Sequence, residues 1–371
     1  MLVKRAVGAN SVAERNMNVE MTDDHDAGAA AACHQTQRSA TEWEQRLAGN
    51  ILKEVSRSFY LTLQMLPKRV RGPICLGYLL ARTSDTIADT ETVARDERLQ
   101  FLERFRVTVN AATHCPSLQS DLIAQFQPLQ SDPGETKLLD HTSEALCWLA
   151  SVSDFEKHTT QTVLHEILNG QSKDCQRFGE PGALRFLNQT EDLEEYTYLV
   201  AGSVGEFWTR LCFHHWQKYT SESEEQMMVW ARAYGRALQL VNILRDLPKD
   251  LRDGRCYLPK AELQAAGMPA GGAPDTAHLI TVCKAWQARC REQLGEALNY
   301  CTAIRPLRLR YATALPMLLA YRTLSMIDNS EWFEREQGIK VSRHEVKTIL
   351  KQALLANITT KRLRRYAEGL S

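Results

Sequence analysis

What this 371-residue sequence lacks already excludes several classes of protein. No stretch reaches the roughly 18 to 20 uninterrupted apolar residues that a transmembrane helix requires. Net charge is absent as well, because 45 Lys and Arg balance 45 Asp and Glu, so we expect no nucleic-acid partner. The ten cysteines include no C-x-x-C pair and no zinc-type spacing, which indicates reduced thiols in a cytoplasmic protein.

Two further absences concern secondary structure. No segment alternates convincingly between apolar and polar residues, so β-strands are not predicted. No Gly-x-Gly-x-x-Gly follows a strand, so no Rossmann unit is predicted. Apolar residues instead recur at steps of three and four, starting near residues 41, 73, 143, 191, 224, 276 and 315. Without a repeat or an evident linker, the sequence predicts one all-α domain.

The beginning of the chain differs in composition from the rest. Residues 1–40 are rich in Ala, Asp, Asn and His and lack the compact apolar segment of a secretory signal. We therefore expect a mobile N-terminal extension at 1–40 and a single domain at 41–371. Thr41 and Glu44 have the spacing of a capping box, which predicts a helix beginning at that point.

Two stripes of polar residues interrupt the apolar helices. Tyr78, Arg82, Asp85 and Asp89 are spaced 4, 3 and 4, so they fall along one line of a helix. A single Asp-x-x-x-Asp of this kind is usually a solvated face. A second stripe changes that interpretation. Its members, Gln239, Asn242, Asp246 and Asp250, are spaced 3, 4 and 4, and Arg245 lies beside them.

Two carboxylate stripes on apolar helices are costly to bury unless they face a common cavity that contains cations. Oxygen-only ligands suit Mg²⁺, which usually bridges a few carboxylates to substrate phosphates. The pattern therefore predicts a site that holds a diphosphate through Mg²⁺, with arginines as direct charge partners.

Several segments resemble, in the same order, the motifs of the head-to-head prenyl synthases, the squalene/phytoene synthase family. The similarity runs from about residue 56 to residue 347, and "NILRDLPKDLRDGRCYLP" with "VGEFW" is most like bacterial squalene synthases. The matching segments are "SRSF" at 56–59, "YLLARTSDTIAD" at 78–89, "EYTYLVAGSVGEFW" at 195–208, "QLVNILRDLPKDLRDGRCYLP" at 239–259 and "GIKVSRHEV" at 338–346.

The resemblance implies a single-domain isoprenoid-synthase-type helical bundle with a central apolar cavity. It implies that two farnesyl diphosphates condense through presqualene diphosphate to squalene, with Mg²⁺ assisting loss of diphosphate and NADPH as reductant. Dehydrosqualene or phytoene synthesis without NADPH, and a presqualene diphosphate synthase, are the alternatives. A non-catalytic assembly factor of the same fold is a further alternative, which the presence of all four aspartates disfavours.

The resemblance also implies roles for individual residues. The expected metal ligands are Asp85, Asp89, Asp246 and Asp250. The expected contacts to diphosphate are Arg57, Arg82, Arg245, Gln239 and Asn242. The expected catalytic residues are Tyr196, Tyr78 and Arg82, with Tyr196 handling a proton or stabilising a cation. Gly170, Gly202 and Gly205 lie inside helical patterns and would allow close approach of either a prenyl chain or a neighbouring helix.

The C-terminal third carries the remaining expectations. Lys340 and Arg343 resemble a basic segment that binds NADPH in squalene synthases. Pro248 should kink or end the helix that carries the second stripe. The basic end of the chain is a candidate for peripheral contact with anionic lipid at the inner face of a membrane, through Lys361, Arg362, Arg364 and Arg365.

Overall fold

Helices dominate the computed structural model, which describes residues 39–56, 59–112, 115–178 and 184–370. The first helices are α1 (Ala40–Leu47), α2 (Asn50–Ser56), α3 (Phe59–Met65), α4 (Lys68–Asp89), α5 (Arg95–Ala111), α6 (Pro116–Gln125), α7 (Pro133–Asp140), α8 (Thr142–Ser151) and α9 (Asp154–Phe178). The later ones are α10 (Thr190–Thr197), α11 (Ser203–His215), α12 (Glu224–Arg252), α13 (Lys260–Ala265), α14 (Thr276–Ala303), α15 (Leu307–Asp328), α16 (Trp332–Glu336), α17 (Arg343–Ala356) and α18 (Thr360–Glu368).

Short elements join these helices. A 3₁₀ turn (Gln127–Leu129) precedes α7, and a π-helical segment (Tyr198–Gly202) joins α10 to α11 without a break. The strands β1 (Arg185–Leu187) and β2 (Arg255–Pro259) pair in parallel, with Arg185 opposite Arg255. No strand was predicted from the sequence. Segments of three and five residues are too short to reveal an alternating pattern, so the strand pair escaped detection.

The first described helix begins slightly earlier than the sequence pattern predicts. Ser39 is its N-cap: the Ser39 hydroxyl accepts a bond from the Glu42 amide, and the Glu42 carboxylate accepts one from the Ser39 amide. The predicted capping box of Thr41 and Glu44 is therefore wrong by two residues. The two boxes have the same spacing, so the pattern alone does not decide which one starts the helix.

The long helices pack around α12, which contacts α11, α14 and α15, while α9 packs against α4. These helices approach one another most closely at glycines, which have no side chain. A Cβ on Gly205 would lie 2.1 Å from the carbonyl oxygen of Ala231, and one on Gly235 would lie 2.0 Å from that of Ala201. Tight packing of α11 and the π-helical segment against α12 therefore explains Gly205, rather than the approach of a prenyl chain.

Helix α12 passes through Pro248 and continues to Arg252. The helix therefore does not end at this proline, although Pro248 has no amide to bond the carbonyl of Leu244. Leu247 and Pro248 are both buried, so packing holds the last turn in helical form. As a result, Asp246 and Asp250 remain on one helix, as their spacing predicts.

The chain from Ser39 onward forms one compact unit, while residues 1–38, where an extension was predicted, lie outside the described residues. The all-α prediction is confirmed. In the described part of the chain, no helix is both long and apolar enough to cross a membrane. The nine described cysteines are free thiols.

Candidate active site

A cavity of about 220 Å³ lies where α4, α9, α10, α12 and β2 meet. Its polar lining residues are Asp85, Asp89, Glu91, Arg98, Gln171, Asp174, Gln239, Asn242, Asp246, Lys249, Asp250 and Arg255. Its apolar and aromatic lining residues are Ala88, Cys175, Phe178, Tyr196, Ile243 and Tyr257. The two predicted stripes therefore face one cavity. The apolar lining that we expected is confined to the second group.

The first aspartate of each stripe is paired with an arginine of its own helix. Asp85 accepts a bond from Arg82, whose guanidinium also binds Glu135 on α7. Asp246 is held by both sides of the neighbouring guanidinium, with Arg245 Nε 2.8 Å from Oδ1 and Nη2 2.5 Å from Oδ2. Such pairs neutralise one carboxylate in each stripe.

The second aspartate of each stripe is different. Within the described residues, the carboxylates of Asp89 and Asp250 have no hydrogen-bond or ion-pair partner. Burial and the like charges of Asp85 and Asp174 raise the pKa of Asp89 to about 7. Burial, together with the charge of Asp246, raises the pKa of Asp250 to about 6. The Asp89 side chain is nevertheless exposed to solvent, which screens part of this repulsion.

Asp174 on α9 is a fifth carboxylate at the cavity, and the sequence pattern did not identify it. Its Oδ1 accepts a bond from the hydroxyl of Tyr257 at 2.8 Å. Burial raises its pKa to about 6, although the Tyr257 bond and the charge of Arg255 act in the opposite direction. Gln171, one turn earlier on α9, lines the same cavity, and its buried Oε1 has no hydrogen-bond partner among the residues that the structure describes. The only available signal was the Gln-x-x-Asp spacing, which is too common to interpret.

Arg255 at the start of β2 is the cation that these carboxylates share. It lies 3.3 Å from Glu91 and 3.7 Å from Asp253, and its charge lowers the pKa of Asp89, Asp174 and Asp250 alike. In the sequence, Arg255 stood out only as part of the matching segment "QLVNILRDLPKDLRDGRCYLP" at 239–259, with no role of its own. Pairing between β1 and β2, which the sequence did not predict, is what carries Arg255 to the cavity.

An aromatic cluster forms another part of the wall. The rings of Tyr196 and Tyr257 stack with centroids 5.0 Å apart at 26°, and Phe178 lies 5.0 Å from Tyr257. Burial and the charge of Asp174 raise the pKa of Tyr196 well above its ordinary value, so its hydroxyl keeps its proton at neutral pH. The cluster can thus present neutral π faces and a phenolic proton close to the carboxylates.

Several predicted site residues lie away from the described lining. Tyr78 donates from its hydroxyl to the carbonyl of Val55 at 3.3 Å, and burial raises its pKa to about 12. Arg82 and Arg245 reach the cavity only through Asp85 and Asp246. Lys340 and Arg343 are exposed and have no partner among the described residues. The side chain of Arg57 lies outside the described residues.

The donor set fits a hard divalent cation. Unpaired carboxylates that repel one another are stabilised when a cation lies between them. Among the described residues, no three His, Cys, Asp or Glu side chains converge closely enough to hold one ion. An ion bound here would therefore take one or two carboxylates and complete its shell with water or ligand oxygens, which is the usual arrangement for Mg²⁺.

The fold and the site define a helical bundle whose paired aspartate stripes face a single cavity. A sequence profile of the squalene/phytoene synthase family matches residues 52–345, most of the chain. The chain therefore belongs to the squalene/phytoene synthase family, whose members are prenyl-transferring enzymes.

Relatives within this family carry different names. Squalene synthase R6 of Phoma sp. is 27% identical over 300 residues, which cover 78% of this chain and 66%, just under two thirds, of the relative. Presqualene diphosphate synthase of Zymomonas mobilis is 28% identical over 275 residues, covering 71% of this chain and 81% of the relative. The solved structure of TcSQS with a ligand superposes with a TM-score of 0.69 at 19% identity, over 88% of this chain and 89% of that one, and it supports the fold.

Proposed function

We propose that this protein condenses two farnesyl diphosphates head to head through presqualene diphosphate to squalene. In the first half, one substrate loses diphosphate, the double bond of the other captures the allylic cation, and loss of a proton closes a cyclopropane ring. In the second half, the presqualene diphosphate loses its diphosphate and rearranges, and a hydride from NADPH gives squalene and NADP⁺.

One observation carries the proposal: Asp89 and Asp250, from two helices far apart in sequence, face one cavity without partners among the described residues. Carboxylates left in this state are suited to a cation-bridged polyanion. The cavity volume of about 220 Å³ is smaller than the roughly 300–1,000 Å³ of complete ligand pockets, so it matches a polar head group better than a whole prenyl chain.

The acidic and basic residues of the cavity have different roles in this proposal. Asp85, Asp89, Asp246 and Asp250 would hold Mg²⁺ ions, with one or two carboxylates to each ion, and the bound metal would neutralise negative charge on the departing diphosphate. Arg255 supplies a fixed positive charge at the same cavity, which stabilises the leaving group most in the transition state. Gln239 and Asn242 orient phosphate oxygens from the same face of α12.

The aromatic cluster is suited to the organic part of the substrate. Tyr196 and Tyr257 present stacked rings beside the carboxylates, where a π face stabilises a carbocation without quenching it. Tyr196 keeps its proton, so it can donate a hydrogen bond while the Tyr257 hydroxyl remains bonded to Asp174. Asp174 thereby orients Tyr257. We propose that the Tyr257–Asp174 pair accepts the proton lost on ring closure.

The identity of the final product has less support than the condensation itself. The names squalene synthase and presqualene diphosphate synthase both occur among the relatives. The first half-reaction is common to these two activities. Reduction by NADPH is proposed on the sequence motifs, with Lys340 and Arg343, exposed and without partners among the described residues, as phosphate contacts. Dehydrosqualene or phytoene formation without NADPH is the second candidate, which the family match supports equally.

Incubation of the purified protein with farnesyl diphosphate and Mg²⁺, with and without NADPH, tests the proposal. We expect squalene only when NADPH is present, and no product after chelation of the metal. Dehydrosqualene or presqualene diphosphate in both incubations would overturn the reductive step while retaining the condensation. Turnover of geranylgeranyl diphosphate in preference to farnesyl diphosphate would move the protein to phytoene synthesis.

Matched aspartate variants separate a cavity effect from a general charge effect. Asp89→Asn and Asp250→Asn should each lower kcat/KM by about 10²–10³-fold. Asp121→Asn removes a carboxylate that pairs with Arg104 on the surface, 2.7 Å away, and should retain activity. If the wild-type protein binds no non-hydrolysable farnesyl diphosphate analogue in the presence of Mg²⁺, the proposed enzymatic activity is wrong and a non-catalytic role is favoured.

A further inference from the structure

Gln171 on α9 carries a buried amide oxygen that is unsatisfied at the cavity. Its side chain is 9% exposed and lines the cavity, one turn before Asp174 on the same face of α9. The Oε1 atom has no hydrogen-bond partner among the described residues. An unsatisfied buried acceptor is destabilising, so in a cavity wall it indicates a ligand that supplies the missing partner.

The packing of α9 fixes where this amide lies. A Cβ on Gly170 would lie 2.7 Å from Cγ1 of Val200, so α9 packs directly against the π-helical segment at the residue before Gln171. Gly170 thus serves helix packing. One turn after Gln171, Asp174 accepts the hydrogen bond from Tyr257 on β2. Gln171 therefore lies between two fixed points of its helix, and a shift of α9 cannot bring its oxygen to another partner.

The aspartates at the cavity form two groups. After burial, the charges that raise the pKa of Asp89 are those of Asp85 on the same helix and Asp174 on α9. For Asp250, the largest corresponding charge after burial is that of Asp246 on its own helix. One group therefore belongs to α4 and α9, and the other belongs to α12. A cation bound by the first group would lie on the α9 side of the cavity.

Only a donor or a cation can satisfy the Oε1 atom of Gln171, and the proposed substrate supplies no donor. A diphosphate offers acceptor oxygens, and a prenyl chain carries only C–H bonds. Arg98, a buried cation in the same lining, donates to the Ala88 carbonyl at 2.6 Å rather than to Gln171. A hard divalent cation and the waters that it binds are suitable partners, because such cations take carbonyl oxygens and water as ligands.

We propose that Gln171 is a further contact of the bound metal, with Oε1 binding the Mg²⁺ held by Asp89 either directly or through a water of its shell. The metal site would then take oxygens from α9 as well as from the aspartate stripes on α4 and α12. The inference rests on the proposed function, because it takes the metal–diphosphate complex as the ligand of this cavity.

Binding of Mn²⁺, followed by loss of the electron paramagnetic resonance signal of the free ion, tests the proposal without turnover. The titration is made with and without a non-hydrolysable farnesyl diphosphate analogue, and a protein-free titration corrects for Mn²⁺ bound to the analogue alone. Gln171→Leu removes the oxygen and should raise the dissociation constant for Mn²⁺ about tenfold. Gln171→Met keeps the unbranched shape and should have the same effect. Gln171→Glu keeps an oxygen at the same place and should bind Mn²⁺ at least as tightly as wild type at pH 7.5.

Gln287 on α14 provides a matched control. It is 4% exposed, its Nε2 has no hydrogen-bond partner within the described part of the chain, and it does not line the cavity. Gln287→Leu should leave Mn²⁺ binding unchanged. In the metal-free protein, both Leu variants should keep or raise the melting temperature, because each removes an unsatisfied buried polar atom. Weaker metal binding without lower stability is therefore the result expected for Gln171→Leu alone.

The outcomes separate this inference from the proposed function. If wild-type protein binds Mn²⁺ and both Gln171→Leu and Gln171→Met bind it equally well, the inference is wrong and the proposed function stands. The inference is also wrong if Gln171→Glu weakens binding as much as Gln171→Leu, since the amide nitrogen would then be the contacting group. If wild-type protein binds no Mn²⁺ even with the analogue present, the proposed metal–diphosphate site is wrong as well.

Discussion

The two aspartate stripes look alike in sequence but are supported differently in the fold. Each has an arginine-paired member, Asp85 or Asp246, and each has a second member one turn later, Asp89 or Asp250, without a partner among the described residues. The α4 stripe is tied to α7 through the shared contact of Arg82 with Glu135. The α12 stripe has only its own adjacent arginine and a proline between its aspartates.

The difference between arginine-paired and unpaired aspartates indicates two roles for these residues, and the Asp-x-x-x-Asp spacing alone cannot distinguish them. The paired aspartates are already neutralised and hold arginines in place. The unpaired aspartates have pKa values raised to about 7 and about 6, first by burial and then by neighbouring carboxylates, so the cost of ionisation in the metal-free protein falls mainly on them. Arg255 is the charge that both share. The stripes therefore meet electrostatically at one arginine that belongs to neither.

Removing the shared arginine should affect both stripes at once. Arg255→Gln should lower kcat/KM by roughly a hundredfold, because a fixed charge that stabilises the leaving diphosphate is lost. It should also move the acidic limb of the pH–rate profile to higher pH, since Arg255 lowers the pKa of both unpaired aspartates. Arg255→Lys should restore the limb in part. An unchanged acidic limb in Arg255→Gln would contradict the shared-charge account.

Stability without metal should depend on pH through the same carboxyls. Their pKa values of about 7 for Asp89 and about 6 for Asp250 lie above the ordinary 3.8, so the folded state binds more protons than the unfolded state between about pH 4 and 7. Their contribution to the free energy of unfolding therefore falls as pH rises through that window and is level above it.

The measurement is the melting temperature in chelator and in Mg²⁺ at pH 5.5, 6.5 and 7.5. We expect Mg²⁺ to stabilise the protein more at pH 7.5 than at 5.5, because protons compete for the same oxygens. Asp89→Asn combined with Asp250→Asn is the control, since the difference between it and wild type isolates these two groups. Equal stabilisation by Mg²⁺ at all three pH values would contradict the assignment of the unpaired aspartates to the metal.

A smaller effect should distinguish paired from unpaired aspartates in the metal-free protein at pH 7.5. Asp89→Asn and Asp250→Asn remove repulsion and should raise the free energy of unfolding by about 1 kcal/mol or less. Asp85→Asn and Asp246→Asn leave an arginine without its partner and should lower it by a similar amount. Denaturant unfolding in chelator provides the measurement. If all four variants shift in the same direction, the comparison between the stripes does not hold.

The smallest effect concerns the proline that only α12 carries between its aspartates. Pro248→Ala should change the free energy of unfolding by no more than about 1 kcal/mol, because regained helical bonding is offset by greater freedom of the unfolded chain. The half-saturating concentration of Mg²⁺ should rise a few-fold. The new backbone N–H at position 248 can donate a hydrogen bond to the Leu244 carbonyl, which changes the positions of the Asp246 and Asp250 side chains relative to each other. Leu247→Met is a matched control that keeps the same turn. Unchanged Mg²⁺ dependence would show that the proline does not set the spacing.

Prediction from the sequence succeeded where the signal was local and repeated. The starts of α12 and α14 at Glu224 and Thr276 coincide with the predicted ones, while α15 begins at Leu307, well before the predicted Leu315. In α15 the buried Arg310 bonds Asn357 far along the chain, so its burial does not appear in an apolar pattern. A buried polar residue with a distant partner is invisible to periodicity.

The all-α class and the two aspartate stripes could be predicted from local patterns, because helical periodicity and Asp-x-x-x-Asp spacing depend only on neighbours within a turn or two. The fold was needed to show that Asp174, Arg255 and Tyr257 join those stripes at one cavity, and that the carboxylates of Asp89 and Asp250 are without partners in the described part of the chain. Those outcomes depend on how α9, α12 and the β1–β2 pair pack, and contacts across dozens of residues leave no regular mark in the sequence.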